Sequence, residues 1–165
     1  MRRLSEFLNF SGTASMPVIL QGEASECGLA CLAMVASHHG FRTDLHALRQ
    51  RFGVSLAGAS LRNLMRSGAD LGLSCRALRV DPNELRKMRL PAILHWDFNH
   101  YVTLRSASRS HVVVHNPAVG VRRYRLAEIG QHFTGIALEI TPTTQFQRGN
   151  TTQRLHLLDF CSGMK

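Results

Sequence analysis

The spacing of apolar residues changes once along this chain, near Gly72, and that change limits the folds available to it. Before Gly72, apolar residues recur every three or four positions, which predicts helices. After it, short and partly alternating apolar runs lie between turn-forming residues, which predicts strands. We therefore expect an α+β fold, in which a helical N-terminal half packs on an antiparallel β-sheet formed by the C-terminal half. The 165 residues suffice for one domain that buries about 70 % of its unfolded surface.

Three helices are predicted in the first half. The first runs from Ser25, its expected N-cap, to His38, and Gly40 follows as a stop signal. Asp44 and Ser60 are the expected N-caps of the second and third helices. Helical spacing predicts one buried face of the first helix, formed by Cys27, Ala30, Cys31, Met34, Val35 and His38.

Six strands and one short helix are predicted in the second half. Asp81 and Pro82 provide the cap and the first residue of the short helix. We expect one domain over residues 15–142, with an N-terminal tail at 1–14 and a linker or tail at 143–165. The predicted strands span residues 73–80, 92–96, 100–105, 111–115, 121–125 and 136–141.

Composition and charge restrict where the chain works and what it binds. Its longest apolar run, Gly28 to Ala36, is much shorter than the roughly 20 residues that span a bilayer, and there is no secretory signal, so we expect a cytoplasmic location and free thiols. The formal charge of +9 favours an acidic peptide, an anionic membrane surface or nucleic acid. Because the arginines are spread out with few aromatic residues between them, nucleic acid is not expected as a partner. A single C-x-x-x-C at Cys27 and Cys31 is a weak zinc signal, and no metal site is predicted.

Cys27 is a candidate nucleophile. It lies at the start of the first predicted helix, where unpaired backbone N–H groups and the helix dipole favour a negative charge. Thiols at helix N-termini beside a cationic histidine can have a pKa as low as roughly 3.5–7.5, which predicts a stabilised thiolate. The alternative is that Cys27 is a small apolar core residue.

A thiolate nucleophile needs a histidine, and His100 is the strongest candidate among nine. If residues 100–105 and 111–115 form a hairpin whose loop centres on Ser108, His100 faces Asn116 on one side of the sheet. The carboxamide oxygen of Asn116 can then accept the imidazole N–H and direct the other ring nitrogen towards the thiolate. The alternative is a surface histidine and a turn asparagine.

Gln21 is the candidate oxyanion-hole residue. Its side-chain N–H, together with the backbone N–H of Cys27, can donate to the negative oxygen that forms when sulfur attacks a carbonyl. The alternative is that Gln21 is a polar loop residue.

These residues resemble two motifs of the cysteine peptidase domain at the N-terminus of bacteriocin-exporting ABC transporters, in particular those of the colicin V and microcin type. The histidine motif of that family, H-[FY]-V followed by an acid and a proline, is similar to residues 100–102 and 116–117. The segments ILHWDFNHYV (93–102) and FTGIALEI (133–140) are also similar, and the resemblance covers about residues 15–142. The cysteine motif, Q-x4-[DE]-C-x2-A-x3-M-x5-G, is matched by Gln21, Glu26, Cys27, Ala30, Met34 and Gly40.

The resemblance implies a papain-like cysteine peptidase with catalytic Cys27, His100 and Asn116 and with Gln21 in the oxyanion hole. It implies removal of the leader peptide of a bacteriocin or microcin precursor after a Gly-Gly pair, at the inner face of the bacterial plasma membrane and coupled to export. The partners would be the leader peptide and the transmembrane and ATPase parts of an ABC exporter. No cofactor is expected in this domain, because a separate nucleotide-binding domain would use ATP. The chain is then either an excised domain or a peptidase that stands alone.

Position 116 departs from the family pattern, because the family usually carries Asp where this chain has Asn116. Asn has the same orienting role in papain-like peptidases, so we expect activity, at a lower rate because a neutral partner stabilises the imidazolium less. Two alternatives remain: a module of the same fold that binds the leader without cutting it, and another papain-like thiol enzyme such as an amidase or an acyltransferase.

Overall fold

The computed structural model describes residues 16–53 and 60–150, in which helices pack on a six-stranded antiparallel sheet. This arrangement confirms the predicted α+β fold. The α-helices are α1 (Cys27–His38), α2 (Leu45–Phe52) and α3 (Leu61–Asp70). The strands are β1 (Phe41–Arg42), β2 (Leu73–Arg79), β3 (Ala92–Trp96), β4 (His100–Ala107), β5 (His111–Asn116), β6 (Gly120–Arg125), β7 (Phe133–Pro142) and β8 (Gly149–Asn150). Short 3₁₀ helices span Ala24–Glu26, Pro82–Lys87 and Ile129–Gln131.

The six-stranded sheet separates two clusters of buried apolar side chains. Its strand order is β2-β7-β3-β4-β5-β6, and all neighbouring strands are antiparallel. One cluster joins the helices to the sheet through Ile93, Tyr101 and Leu138. The other cluster contains Trp96 and Leu104 and has no residue from the three α-helices. Because α1 packs on β4, the N-terminus of α1 lies close to the strand that carries His100.

α1 is buried on all sides, whereas the apolar spacing predicts a single buried face. Every residue from Cys27 to Ser37 is buried. The sheet covers one side of α1, and α2, α3 and the segment around Met16 and Ile19 cover the others. The sequence CGLACLAMVAS contains no charged residue, which suits a helix inside the core. Like every other helix in the described residues, α1 is not long and apolar enough to cross a membrane.

Of the four predicted N-caps, Asp44, Ser60 and Asp81 are confirmed. The side chains of Asp44 and Ser60 each accept a backbone N–H in the first turn of α2 and α3. The predicted cap at Ser25 is wrong, because Ser25 lies within a 3₁₀ turn that ends at Glu26, and Glu26 has the N-cap position. Cys27 is therefore the first residue of α1.

The β4–β5 hairpin forms as predicted, but in a different register. The predicted loop, centred on Ser108, would pair Leu104 with Val112. In the structure, Leu104 pairs with Val114. The loop lies further along the chain than predicted, since Ala107 pairs with Val112, and an extra residue in β4 between Leu104 and Ser106 then changes the register by one. Because the shift at Leu104 is two residues, each side chain in the first part of β4 keeps its predicted side of the sheet.

Residues 143–150, which the sequence predicts as the start of a linker, pack on the helical half. The N–H of Gly149 donates to the carbonyl of Gly40 over 3.1 Å, where β8 pairs with β1 in parallel. Phe146 packs against the apolar cluster that joins the helices to the sheet. The predicted tail at residues 1–14 and residues 151–165 of the predicted linker lie outside the described residues.

Gly72 lets the backbone of this segment approach the domain closely. Its φ is +79°, and a Cβ at this position would lie 2.8 Å from Phe146 Cα. We expect Gly72→Ala to lower the free energy of unfolding by about 1–3 kcal/mol, measured by urea denaturation. Gly53→Ala is the control, because Gly53 has a similar φ of +69° and a Cβ added there would have no atom of the described residues within 4 Å. Equal losses in the two variants would contradict a contribution from the contact with Phe146.

Candidate active site

The helix that begins with Cys27, α1, packs on the strand that begins with His100, β4. The side chain of Cys27 is buried, and the backbone N–H of Tyr101, the residue after His100, acts to lower the pKa of its thiol. The backbone N–H groups of Gly28 and of Cys27 itself act in the same direction. The structure thus brings the predicted nucleophile to the strand that carries the predicted histidine.

The side chains of His100 and Asn116 are in contact, with 2.9 Å between Nε2 and Oδ1. Asn116 Oδ1 also accepts the backbone N–H of Ala118 over 2.9 Å, which identifies this atom as the amide oxygen. Nε2 of His100 must therefore be the donor, and Nδ1 of the neutral ring is left as an acceptor. In the observed register the two residues are diagonal neighbours on the sheet, so the predicted contact exists although the predicted direct pairing does not.

Gln21 is held beside this pair by its backbone. The N–H of Gln21 donates to the carbonyl of Pro117 over 2.9 Å, and four residues earlier the carbonyl of Pro17 contacts Nδ1 of His115 over 3.1 Å. These two contacts align residues 17–21 with the end of β5. Oε1 of Gln21 is buried and has no hydrogen-bond partner among the described residues. The sequence predicted the position of Gln21 near the site but gave no sign of its contacts with β5.

Glu26 places a buried carboxylate directly before Cys27. It is 1 % exposed and accepts the N–H groups of Gly22 and Glu23 over 2.9 and 3.0 Å and Nε of Arg49 over 2.7 Å. Burial alone would raise the pKa of Glu26, but these hydrogen bonds and the charge of Arg49 outweigh it, so the pKa is lowered. The sequence identifies Glu26 as a motif residue but does not reveal its partner on α2.

The pKa of Cys27 is raised, contrary to the direction that its position at a helix N-terminus predicts. Burial of the thiol is the largest cause, and it exceeds the opposing effect of the three backbone N–H donors. A thiol with a raised pKa is protonated at neutral pH. Formation of a thiolate at this position therefore requires a base.

The other cysteines in the described residues differ from Cys27 in chemistry. Cys27, Cys31 and Cys75 are all free thiols. Burial raises the pKa of Cys31 strongly and that of Cys75 to about 11, and neither lies at a helix N-terminus. Within residues 16–53 and 60–150, no three His, Cys, Asp or Glu side chains are arranged to hold a metal ion. Cys161 lies outside the described residues.

Asn116→Asp should make the thiolate form at lower pH. A carboxylate beside His100 stabilises the imidazolium, so the ring takes the proton of Cys27 more readily. We expect the midpoint of the pH dependence of Cys27 alkylation by iodoacetamide to fall by about one unit. Asn99→Asp is the control, because Asn99 is exposed and precedes His100 without replacing its partner. Equal midpoints for Asn116→Asp and the unmutated protein would contradict the role of residue 116.

Sequence comparison identifies relatives that share these motifs. Residues 15–145 match the Peptidase C39 family, which confirms the resemblance seen in the cysteine and histidine motifs. The colicin V secretion/processing ATP-binding protein CvaB of Escherichia coli is 42 % identical over 156 residues, which are 94 % of this chain and 22 % of CvaB. The probable microcin-H47 secretion/processing ATP-binding protein MchF of Escherichia coli is 43 % identical over 145 residues, 88 % of this chain and 21 % of MchF. The chain therefore spans about a fifth of the length of these relatives.

Solved structures agree with this relationship. A double glycine motif protease from an AMS/PCAT transporter, crystallised in complex with the leader peptide, has a TM-score of 0.73 and 36 % sequence identity and covers 81 % of this chain and 96 % of its own. The peptidase domain of Streptococcus ComA has a TM-score of 0.71 at 22 % identity, covers 78 % of this chain and 100 % of its own, and supports the fold. The predicted papain-like α+β fold is thus confirmed. With the family match over most of its length, the chain belongs to the Peptidase C39 family.

Proposed function

We propose that this domain is a cysteine endopeptidase that removes the leader peptide of a bacteriocin or microcin precursor after a Gly-Gly pair. The observation that carries the proposal is the buried sulfur of Cys27 against the strand of His100, whose ring contacts Asn116 over 2.9 Å. The names of CvaB and MchF as secretion and processing proteins support the class of cargo. The similar protease crystallised with a leader peptide supports the class of substrate.

In the proposed reaction, Nδ1 of His100 takes the proton of Cys27 and the thiolate attacks the carbonyl carbon of the second glycine. The oxyanion accepts the backbone N–H of Cys27 and the side-chain N–H of Gln21. When the intermediate collapses, the C–N bond breaks and the imidazolium protonates the leaving amine. Water, deprotonated by His100, then hydrolyses the thioester and releases the leader. Throughout, the oxygen of Asn116 keeps the ring in the required tautomer.

The position of Gln21 supports this assignment. Its backbone N–H donates to the carbonyl of Pro117 over 2.9 Å, which places Gln21 next to Asn116. A Gly-Gly requirement follows from a narrow cleft, because only residues without a Cβ allow two backbones to approach closely. The net charge of +9 suits an acidic leader.

We further propose that residues 15–142 are the peptidase unit of an ABC exporter and act in the cytoplasm, at the inner face of the plasma membrane. The relatives are secretion and processing ATP-binding proteins about four times as long as this chain, which supports transmembrane and ATPase parts as partners. Residues 143–165 would then lead to the transmembrane domain. The proposed peptidase reaction uses no cofactor, and ATP would be used by the separate ATPase part.

A synthetic leader peptide that contains Gly-Gly and several following residues tests the proposal. We expect mass spectrometry to show one cut, after the second glycine, and no cut when that glycine is replaced by valine. Protein alkylated with iodoacetamide is the control for thiol chemistry. Binding of the peptide without any product would support the leader-binding module instead. Products of amide transfer, or cleavage elsewhere only, would support a different papain-like thiol enzyme.

A further inference from the structure

We propose that Glu26 and Arg49 form a positioning pair, which holds the oxyanion-hole residue Gln21 at a fixed distance from the nucleophile. This inference rests on the proposed peptidase function. Neither Glu26 nor Arg49 is assigned a part in attack or proton transfer. Their proposed role is to fix the turn that joins Gln21 to Cys27.

The two oxygens of the Glu26 carboxylate have separate partners. Oε2 accepts the N–H groups of Gly22 and Glu23, the two residues that follow Gln21. Oε1 accepts Nε of Arg49, whose other guanidinium nitrogen Nη2 also forms an ion pair with it. One oxygen thus holds the turn, and the other ties the turn to α2.

The turn has little space in which to move. A Cβ on Gly22 would lie 3.1 Å from Oε2 of Glu26, so backbone and carboxylate are already close. Glu23 and Glu26 also form a reciprocal capping box across the 3₁₀ turn before α1. Since the backbone of Gln21 is bound to Pro117 and Cys27 begins α1, the turn is fixed at both ends. Glu26 is the side chain that fixes its middle.

Ionisation of Glu26 is part of the proposal. Hydrogen bonds to a carboxylate are shorter and stronger than hydrogen bonds to a neutral acceptor. A buried carboxylate without a cation is costly, and Arg49 supplies the compensating charge from a partly exposed position. Loss of Arg49 should therefore weaken the same turn while leaving the interior of the domain intact.

A second ion pair with a buried carboxylate, Glu139 with Arg76, provides a matched control. Glu139 is 7 % exposed, accepts Nη2 of Arg76 over 2.6 Å and accepts the backbone N–H of Arg89 over 3.0 Å. It lies on β7 opposite Arg76 of β2, at the opposite side of the sheet order from β5 and β6. In both pairs a buried glutamate accepts hydrogen bonds from an arginine side chain and from the backbone. Only Glu26, however, holds the turn next to the nucleophile.

The test compares Glu26→Gln and Arg49→Met with Glu139→Gln and Arg76→Met in the leader-cleavage assay. We expect kcat to fall by about 10- to 100-fold for the first two variants, because the oxyanion donor is misplaced, with KM little changed. Arg49→Lys should recover part of the loss. The two control variants should keep the kcat of the unmutated protein even where thermal denaturation shows that they are less stable.

Combining Glu26→Gln with Gln21→Ala in one double variant distinguishes an effect on the position of Gln21 from a general loss of stability. If Glu26 acts through Gln21, Glu26→Gln should change kcat by no more than about twofold once Gln21 is already alanine. Multiplicative losses in the double variant would overturn the proposal. An unchanged kcat in both Glu26→Gln and Arg49→Met would also overturn the proposal. If Glu26→Gln does not fold, the kcat values of Arg49→Met and Arg49→Lys test the proposal instead. Absence of cleavage by the unmutated chain contradicts the proposed function and overturns this inference with it.

Discussion

Cys27→Ala is expected to abolish cleavage of a Gly-Gly leader peptide, with a loss in kcat on the order of 10⁶-fold. The sulfur is the atom that forms the covalent intermediate in the proposed reaction, and alanine has nothing to replace it. Cys27 is 3 % exposed within a well-packed helix, so the smaller side chain leaves the start of α1 in place. Product formation over several hours, followed by mass spectrometry, measures the effect.

Cys31→Ala is the matched control for this variant. Cys31 lies one turn further along α1, is fully buried and has a pKa raised by burial, so it is excluded from nucleophilic attack. We expect this variant to keep its cleavage activity. Retained cleavage in Cys27→Ala would end the assignment of Cys27 as nucleophile, and equal losses in both variants would attribute the effect to damage in α1.

His100→Ala is expected to reduce kcat by on the order of 10⁴- to 10⁶-fold. Without the imidazole, no base takes the proton of Cys27 and no acid protonates the leaving amine. The pKa of Cys27 stays above its ordinary value because burial raises it, so the thiol remains protonated at neutral pH. Alkylation of Cys27 should consequently be slow at pH 7 and increase only in alkaline solution.

His111→Ala is the control for His100→Ala, because His111 lies in the same hairpin at the other end of β5. In the His111→Ala variant, kcat and the pH dependence of Cys27 alkylation should match those of the unmutated protein. Rapid alkylation of Cys27 at neutral pH in His100→Ala would show that the thiolate forms without this histidine. The proposed proton transfer would then be wrong.

Much of the fold is predictable because its signals are local. Asp44 and Ser60 cap their helices as expected, and the strand at residues 92–96 has the predicted bounds. The strand at residues 136–141 is longer than predicted and begins at Phe133. The complete burial of α1 could not be derived from spacing, because it depends on which distant segments cover the helix.

The contact of His100 with Asn116 was predicted from a register that is wrong by two residues. An extra residue in β4 has no clear sequence signal, so the bulge could not be placed in advance. The contact survives because side chains in a strand alternate with a period of two, and a shift by two changes the neighbour but not the side of the sheet. A shift by one would have separated the two side chains.

The electrostatics of the site depend on tertiary packing. A helix N-terminus predicts a lowered pKa for Cys27, but burial against β4 has the larger, opposite effect. The pairing of Glu26 with Arg49 joins residues 23 positions apart on different elements. Position in the sequence therefore identifies the candidate reacting groups, whereas the pKa of Cys27 and the contacts of Glu26 follow from the folded chain.

The pairing of β8 with β1 places the last described residue, Asn150, away from the start of α1. β8 contacts Gly40, just beyond the C-terminal end of α1, whereas Cys27 begins that helix. A helix of 12 residues extends about 18 Å, so Asn150 and the sulfur of Cys27 lie near opposite ends of a span of about that length. In the proposed exporter, the chain would therefore leave the described domain well away from the residue that cuts the leader.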